Sequence, residues 1–350
     1  MKTYYSIGLM SGTSLDGVDV VYVSISTGQK YGYKIIHAKT YAYSGYWQKA
    51  LQRAFTQSRE ALGSLDKAYG AFLGALILKF KLEKNIQKVD FIASHGHTIF
   101  HKPEEKYTLQ IGCGQEISRL TKLPVVYDFR TQDVAFGGQG APLVPMGDQL
   151  LFSDYDFCLN LGGFANVSYE EDGERKAFDI CPVNIVLNHY ANKIGKLYDD
   201  NGKLAASGKV NEALLSALNA DLFFTLAPPK SLGYEFVIAQ VLHKIDAQDL
   251  KIEDILRTYV EHIAQKIAEV FPQKSVPTIL VTGGGVYNGF LLQRIQEISK
   301  IPLKKPVEEL IEFKEALVFS FLGLLKLEKK VNCLKSVTGA KKDHSSGRIA

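Results

Sequence analysis

The sequence predicts an α/β protein whose two similar domains, residues 1–130 and 131–350, face one cleft. Three observations carry that expectation. Each half opens with a hairpin whose first turn is glycine-rich. Each half then alternates strand and helix patterns. A third glycine-rich turn follows a buried strand late in the chain. No residue-level repeat accompanies this order, so the duplication is read from the elements alone.

The elements follow in order. Tyr4 to Met10 is a short apolar strand, and Ser11 to Gly17 is dense in turn residues. Val18 to Ile25 is rich in β-branched residues and reads as a second strand, with a third near Tyr33 to Ala42. Ala61, Leu65, Ala68, Phe72, Ala75 and Leu76 give residues 57–84 helical spacing. Phe91–Ala93 and Val125–Tyr127 are short buried strands. The second half begins with strands at Phe157–Leu161, Phe164–Tyr169 and Lys176–Phe178. Helices are predicted over 184–195, 210–219 and 253–270. A buried strand at Thr278–Thr282 precedes helices over 289–299 and 313–327, and the polar tail from Lys341 reads as loose.

Composition narrows the function. The hydrophobic fraction is 46% and the charged fraction 22%, so 350 residues can build a core without disulfide or metal staples. Forty-one basic residues against 37 acidic ones leave +4, too weak a bias for a nucleic-acid partner. Cysteines 113, 158, 181 and 333 form no C-x-x-C pair and read as free thiols of a reducing cytosol. The N-terminus lacks a signal-peptide pattern, and no apolar run suggests a membrane span. A soluble, cytoplasmic protein is expected, and a homodimer is left open.

The glycine turns are the first chemical signal. Ser11–Gly17, Gly162-Gly163 and Gly283-Gly284-Gly285 each follow a predicted strand. Glycine lets backbone N–H groups approach an anion, and phosphate is the usual guest. A plain tight turn is the competing reading of any one of them. Neither a G-x-x-x-x-G-K-[ST] nor a G-x-G-x-x-G pattern occurs. Two hairpin turns plus a late glycine turn fit the actin, Hsp70 and hexokinase architecture, an RNase H-like pair of domains around a nucleotide.

Longer stretches then match a family. They are Ile7–Asp19, Ser94-His95-Gly96-His97-Thr98, Leu109–Gly112, Asp128-Phe129-Arg130, Asp133-Val134-Ala135 and Gly137–Pro145. Asn160–Asn166, Pro228-Pro229-Lys230-Ser231, Thr282–Gly285, Glu315-Ala316 and Ser336–Ala340 follow in the same order. With these blocks the chain resembles the anhydro-N-acetylmuramic acid kinases. The resemblance implies an ATP- and Mg²⁺-dependent sugar kinase of peptidoglycan recycling. Its substrate would be 1,6-anhydro-N-acetylmuramic acid, attacked by water at C1 while O6 takes the γ-phosphoryl group. It places ATP on Gly12, Thr13, Ser14, Leu15, Asp16, Gly17, Val18 and Asp19, on Gly162 and Gly163, and on Gly283, Gly284, Gly285 and Asn288. Asp16 and Asp19 are the candidate Mg²⁺ ligands, since a hard cation wants oxygen donors. An Asp-Gly turn is the plainer reading of Asp16.

Water attack needs a general base. The family's base is the Asp of D-T-G-P-G-N, and the aligned stretch is Asp179-Ile180-Cys181-Pro182-Val183-Asn184. Asp179 and Asn184 remain, but Val in place of a glycine implies a differently shaped loop. Asp179 also reads as a helix cap. Glu315 is the second catalytic candidate, placed by the family against the sugar. His95, His97, Arg130, Gln139, Gly140 and Asn184 are the sugar-binding candidates. Arg130 suits the lactyl carboxylate or the nearby Asp133. Two alternatives stay open: a kinase of the same fold acting on another amino or anhydro sugar, and a nucleotide-gated binding protein. ADP release with and without the anhydro sugar separates them.

Overall fold

The computed structural model describes residues 2–12, 14–272 and 276–350. The chain forms two compact units. The first runs to Leu151 and takes back Phe313–Ala350; the second is Phe152–Glu312. The boundary therefore lies at 151/152 instead of 130/131, and the C-terminal stretch belongs to the first unit. Packing explains the return. Gly8 lacks a Cβ where Ala316 O and Ser320 of the helix Glu308–Leu327 press against it. Lys314 of that helix meets Asp148 at 2.7 Å, and both side chains are buried. Removing one partner of such a pair costs about 3–5 kcal/mol.

The first unit is built on a seven-stranded sheet. Its strands are β1 (Lys2–Ser11), β2 (Gly17–Thr27), β3 (Gly32–Ala42), β4 (Phe91–Lys102), β5 (Tyr107–Ile111), β6 (Val125–Tyr127) and, at the C-terminus, β12 (Arg348–Ile349). The order is β12-β6-β4-β1-β2-β3, with β5 on β4. β1 and β2 form the opening hairpin, with Ile7 opposite Tyr22 and Leu9 opposite Val20. Val20, Val21, Val23 and Ile25 are fully buried. Neighbours of β2 therefore lie on both faces, as in covered sheets.

Three elements of this unit go beyond the sequence expectation. Ser44 caps a helix at Gly45–Arg53, β5 forms a hairpin with β4, and a helix spans Gly114–Thr121. The tail is not loose. Arg348 and Ile349 pair antiparallel with Tyr127 and Val126, and Ala350 exchanges two backbone bonds of 2.9 Å with Val125. Its polar side chains hid a backbone that completes a sheet edge. Arg59–Glu83 is long and apolar enough to cross a membrane by length and composition alone. Here Tyr69, Leu73, Ile77 and Phe80 enter the core of the first unit.

The second unit holds a five-stranded sheet. Its strands are β7 (Phe157–Leu161), β8 (Phe164–Glu171), β9 (Glu174–Pro182), β10 (Ile279–Thr282) and β11 (Leu303–Lys304), ordered β11-β10-β7-β8-β9. The helix Ile252–Ala268 packs beneath it. Ile255, Leu256, Tyr259, Val260, Ile263, Ala264 and Ile267 recur at helical spacing and are buried. Each such aliphatic side chain contributes roughly 1.5–3 kcal/mol of burial. Glu253 and Asp254 in the first turn suit the helix dipole. Tyr259 donates to Pro182 O at 3.0 Å, fixing the end of β9 and the start of the helix Asn184–Asn192.

Candidate active site

Within the first unit, the loop from Ser11 to Gly17 joins β1 and β2. Thr13 lies outside the described residues. Among the described residues beyond its chain neighbours, a Cβ on Gly12 would meet nothing nearer than Ser14 Oγ at 3.6 Å. Gly17 differs, because its Cβ would collide with the Tyr41 carbonyl of β3. Gly12 is thus open to a ligand, whereas Gly17 serves the hairpin. Leu15 adopts φ +63° and turns the chain into β2. Val18 is wholly buried, so its contribution is its backbone and core packing. Asp16 is exposed, and Asp19 Oδ1 accepts from Thr40 Oγ1 at 2.6 Å.

Behind the loop, Ser11 Oγ meets His97 Nδ1 at 2.8 Å and Tyr43 OH at 2.6 Å, and Tyr43 bonds to Tyr69. Burial pushes His97 down to about 4, so the ring is neutral at pH 7. Its Nε2 is the nitrogen left for a ligand. Burial, reinforced by Arg130, holds His95 well below the usual histidine range. Nδ1 of His95 donates to Gly96 O at 2.9 Å, which makes Nε2 the acceptor for Arg130 Nε at 3.0 Å. Both ring nitrogens are engaged within the protein, and His95 holds Arg130.

Arg130 also donates from Nη1 to Gly140 O at 2.6 Å. Burial pushes its guanidinium down to about 10, opposed chiefly by Glu315. It remains a cation, with Nη2 available. Arg130 makes no hydrogen bond to Asp133. Asp133 instead accepts from Gly140 N at 2.7 Å and Thr338 Oγ1 at 2.8 Å. Gln139 donates its backbone N–H to Thr338 O at 2.7 Å while its side chain stays exposed. Glu315 counts as an exposed residue, yet its carboxyl is desolvated by the protein around it. Desolvation raises its carboxyl, Arg130 and Lys314 pull it back, and Asp19 adds to the rise.

In the second unit, β7, β10 and the start of the helix Asn184–Asn192 bring the other candidates together. Asn184 Nδ2 donates to Leu161 O at 3.1 Å, and its backbone N–H to Gly162 O at 3.3 Å. Gly283, at φ +85°, would drive a Cβ into Asn160 Oδ1 at 2.5 Å, and Gly285 would strike Leu161 Cβ at 2.7 Å. Gly163 and Gly284 are different. A Cβ there would find Ile185 at 4.0 Å and Asn184 Nδ2 at 3.8 Å. These two glycines leave open backbone. Asn288 Oδ1 accepts from Leu291 N at 3.0 Å and caps the helix Gly289–Ser299.

Asp179 lies on β9 opposite Asn166, beside a register shift in the β8–β9 ladder. Such bulges re-aim side chains. Its Oδ2 accepts from Leu232 N at 2.9 Å, and its own N–H donates to Lys230 O at 3.0 Å. Desolvation raises its carboxyl above the ordinary 3.8. Ile180, Cys181 and Val183 are buried in the core of this unit. The side chains that depart from the family motif therefore pack inward. The Lys230–Leu232 segment and Asp133 were missed as site residues. Pro228–Ser231 and Asp133–Ala135 were the signals, since both stood among the matching stretches.

The model of the family described as anhydro-N-acetylmuramic acid kinase matches residues 4–350. An anhydro-N-acetylmuramic acid kinase of Pasteurella multocida is 35% identical, covering 99% of this chain and 97% of its own. One from Coxiella burnetii is 36% identical over 98% and 96%. A solved gluconate kinase from Lactobacillus acidophilus is a distant likeness, 11% identical at a TM-score of 0.46 over 92% and 90%.

Proposed function

Since the chain belongs to the anhydro-N-acetylmuramic acid kinase family, we propose how its residues divide the work of that reaction. The protein is an ATP-dependent sugar kinase of peptidoglycan recycling, an α/β chain of two actin/hexokinase-like units. Water adds to C1 of 1,6-anhydro-N-acetylmuramic acid and the C1–O6 bond breaks. O6 takes the γ-phosphoryl group, giving N-acetylmuramic acid 6-phosphate and ADP.

Asp179 takes the proton from the attacking water. The observation that carries this reading is its state. Burial raises the carboxyl, Leu232 N holds Oδ2, and Oδ1 is left for the water. Arg130 offers Nη2 to the lactyl carboxylate, with His95 and Gly140 O fixing the fork. His97 Nε2, Gln139 and Glu315 meet sugar hydroxyls. Gly12, Gly163 and Gly284 let backbone come close to the nucleotide. Asp16 and Asp19, an oxygen-only donor pair, fit a hydrated Mg²⁺, which would neutralise phosphate charge. The free thiols Cys113, Cys181 and Cys333 suit a reducing, cytoplasmic location.

Coupled ADP release across a sugar panel tests the reading. Release should depend on 1,6-anhydro-N-acetylmuramic acid and stay at background with glucose, gluconate or N-acetylglucosamine. Release driven by one of those sugars, or unaffected by any sugar, would overturn it.

A further inference from the structure

Behind the Gly137–Gly140 loop, three buried side chains of different chemistry converge. Asp133 sits on the short helix Thr131–Ala135 and is 0% exposed. Cys333 and His344 stand abreast in an isolated antiparallel bridge and are 1% and 6% exposed. One carboxylate oxygen, Cys333 Sγ and a ring nitrogen of His344 all lie within 4.8 Å of one another.

The histidine supplies the independent observation. Its Nδ1 stands 3.0 Å from Lys342 O. A carbonyl only accepts, so Nδ1 donates, and Nε2 is the nitrogen turned toward the other two groups. That Nε2 is buried, has no hydrogen-bond partner among the described residues, and faces Asp133 Oδ1 at 3.5 Å. Phe136 closes over the ring edge-on at 4.9 Å. Asp133 Oδ1 accepts from Cys333 Sγ and Thr338 Oγ1, so the carboxylate, the thiol and the unpartnered nitrogen share one buried pocket. A bound cation would satisfy that nitrogen and the buried carboxylate together. A metal-ligating histidine typically donates its second nitrogen to a backbone carbonyl, as this one does.

We propose that Asp133, Cys333 and His344 form a structural site for a zinc-class divalent transition metal. One sulfur, one nitrogen and one oxygen select zinc or cobalt over magnesium or calcium. In the metal-free chain Cys333 Sγ donates to Asp133 Oδ1 at 3.0 Å. Metal binding replaces that thiol proton, which is released to solvent. Thr338 Oγ1, 4.0 Å from Cys333 Sγ, and water are the oxygens at hand for a fourth position. Asp133 Oδ2 is not needed by the metal and keeps its bond to Gly140 N. The site would pin the C-terminal segment to the helix that carries the Gly137–Gly140 loop.

The test uses the full chain purified from zinc-supplemented culture. Metal content should be about one zinc per chain. Exchange into cobalt should give the near-ultraviolet thiolate-to-cobalt band. Cys333→Ser should lose that band, and His344→Gln should weaken cobalt affinity at least about tenfold. Circular dichroism establishes that both variants fold, and excess magnesium should displace nothing. A folded wild-type chain that holds no zinc and takes up no cobalt would overturn the proposal. So would bound cobalt without the thiolate band, or variants binding as tightly as wild type.

Discussion

In the first unit the candidate ligand groups hold one another. Ser11 meets His97, His95 fixes Arg130, and Arg130 reaches Gly140 O. In the second unit the backbone does that work. Gly163 and Gly284 leave open main chain, and the side chain of Asp179 is anchored by Leu232 N. The contrast has a physical meaning. Side chains tied in a network are preorganised for a polar sugar, and bare backbone suits phosphates and a single proton transfer. Damage to the first unit should therefore spread along its network. Damage to the second should stay local.

The largest effect is expected at Asp179. Asp179→Asn keeps the Leu232 contact but accepts no proton. Turnover should fall about 10²–10⁴-fold in coupled kinetics. Calorimetric affinities for ATP and sugar should change little. A large affinity loss alongside would mean the second unit is not locally organised after all.

Arg130→Met comes next. It removes a charge-assisted contact and strands His95 and Gly140 O. The sugar KM should rise roughly 10–100-fold. His95→Phe should reproduce part of the rise by releasing Arg130, although the ring itself touches no sugar. Kinetics unchanged in His95→Phe would break the network picture.

The glycines of the first loop sharpen the comparison further. Gly12→Val should fold normally and weaken ATP binding, because among the described residues beyond its chain neighbours only Ser14 stands near. Gly17→Val should lower the melting temperature through its collision with the Tyr41 carbonyl. Calorimetry and thermal melts on the pair separate ligand approach from hairpin packing. Equal melting temperatures with equal ATP affinities would contradict both assignments.

The smallest effect is a pH dependence of stability. The folded chain holds His97 at about 4, below the unfolded value of 6.5. Unfolded chains bind the proton first as pH falls, so stability drops between about 6.5 and 4 and levels off below. The loss should be roughly 1–3 kcal/mol. His97→Gln should remove that share of the loss in denaturant titrations, leaving the share of His95 and His262, which burial also holds below the ordinary histidine value.

Much of this was legible in the sequence, for identifiable reasons. The β1–β2 hairpin announces itself through the β-branched run of β2 and β7–β8 through short apolar runs, each pair broken by a glycine turn, and the helix Ile252–Ala268 through its period. The glycine turns were visible as turns, but sequence could not tell Gly12 from Gly17. That distinction rests on the Tyr41 carbonyl, contributed by a different strand. The partner of Arg130 was equally hidden. Proximity in sequence suggests Asp133, whereas the fold gives Arg130 to His95, 35 positions away. The return of Phe313–Ala350 to the first unit depends on contacts such as Gly8 with Ala316, which no local pattern encodes. Val183 in place of a glycine implies a differently shaped loop at Asp179, and sequence alone does not say where Ile180, Cys181 and Val183 point. Their burial shows a change in the core.

Two carboxyls with raised pKa, Asp179 and Glu315, could each be imagined as the base. The pH dependence of kcat at saturating ATP and 1,6-anhydro-N-acetylmuramic acid decides between them. Activity should fall as pH drops through the raised pKa of the base, giving an acid limb above the ordinary 3.8 of an aspartate. The account predicts that this limb is present in wild type and in Glu315→Gln, and absent from the residual activity of Asp179→Asn. A limb that persists in Asp179→Asn and vanishes in Glu315→Gln would contradict it.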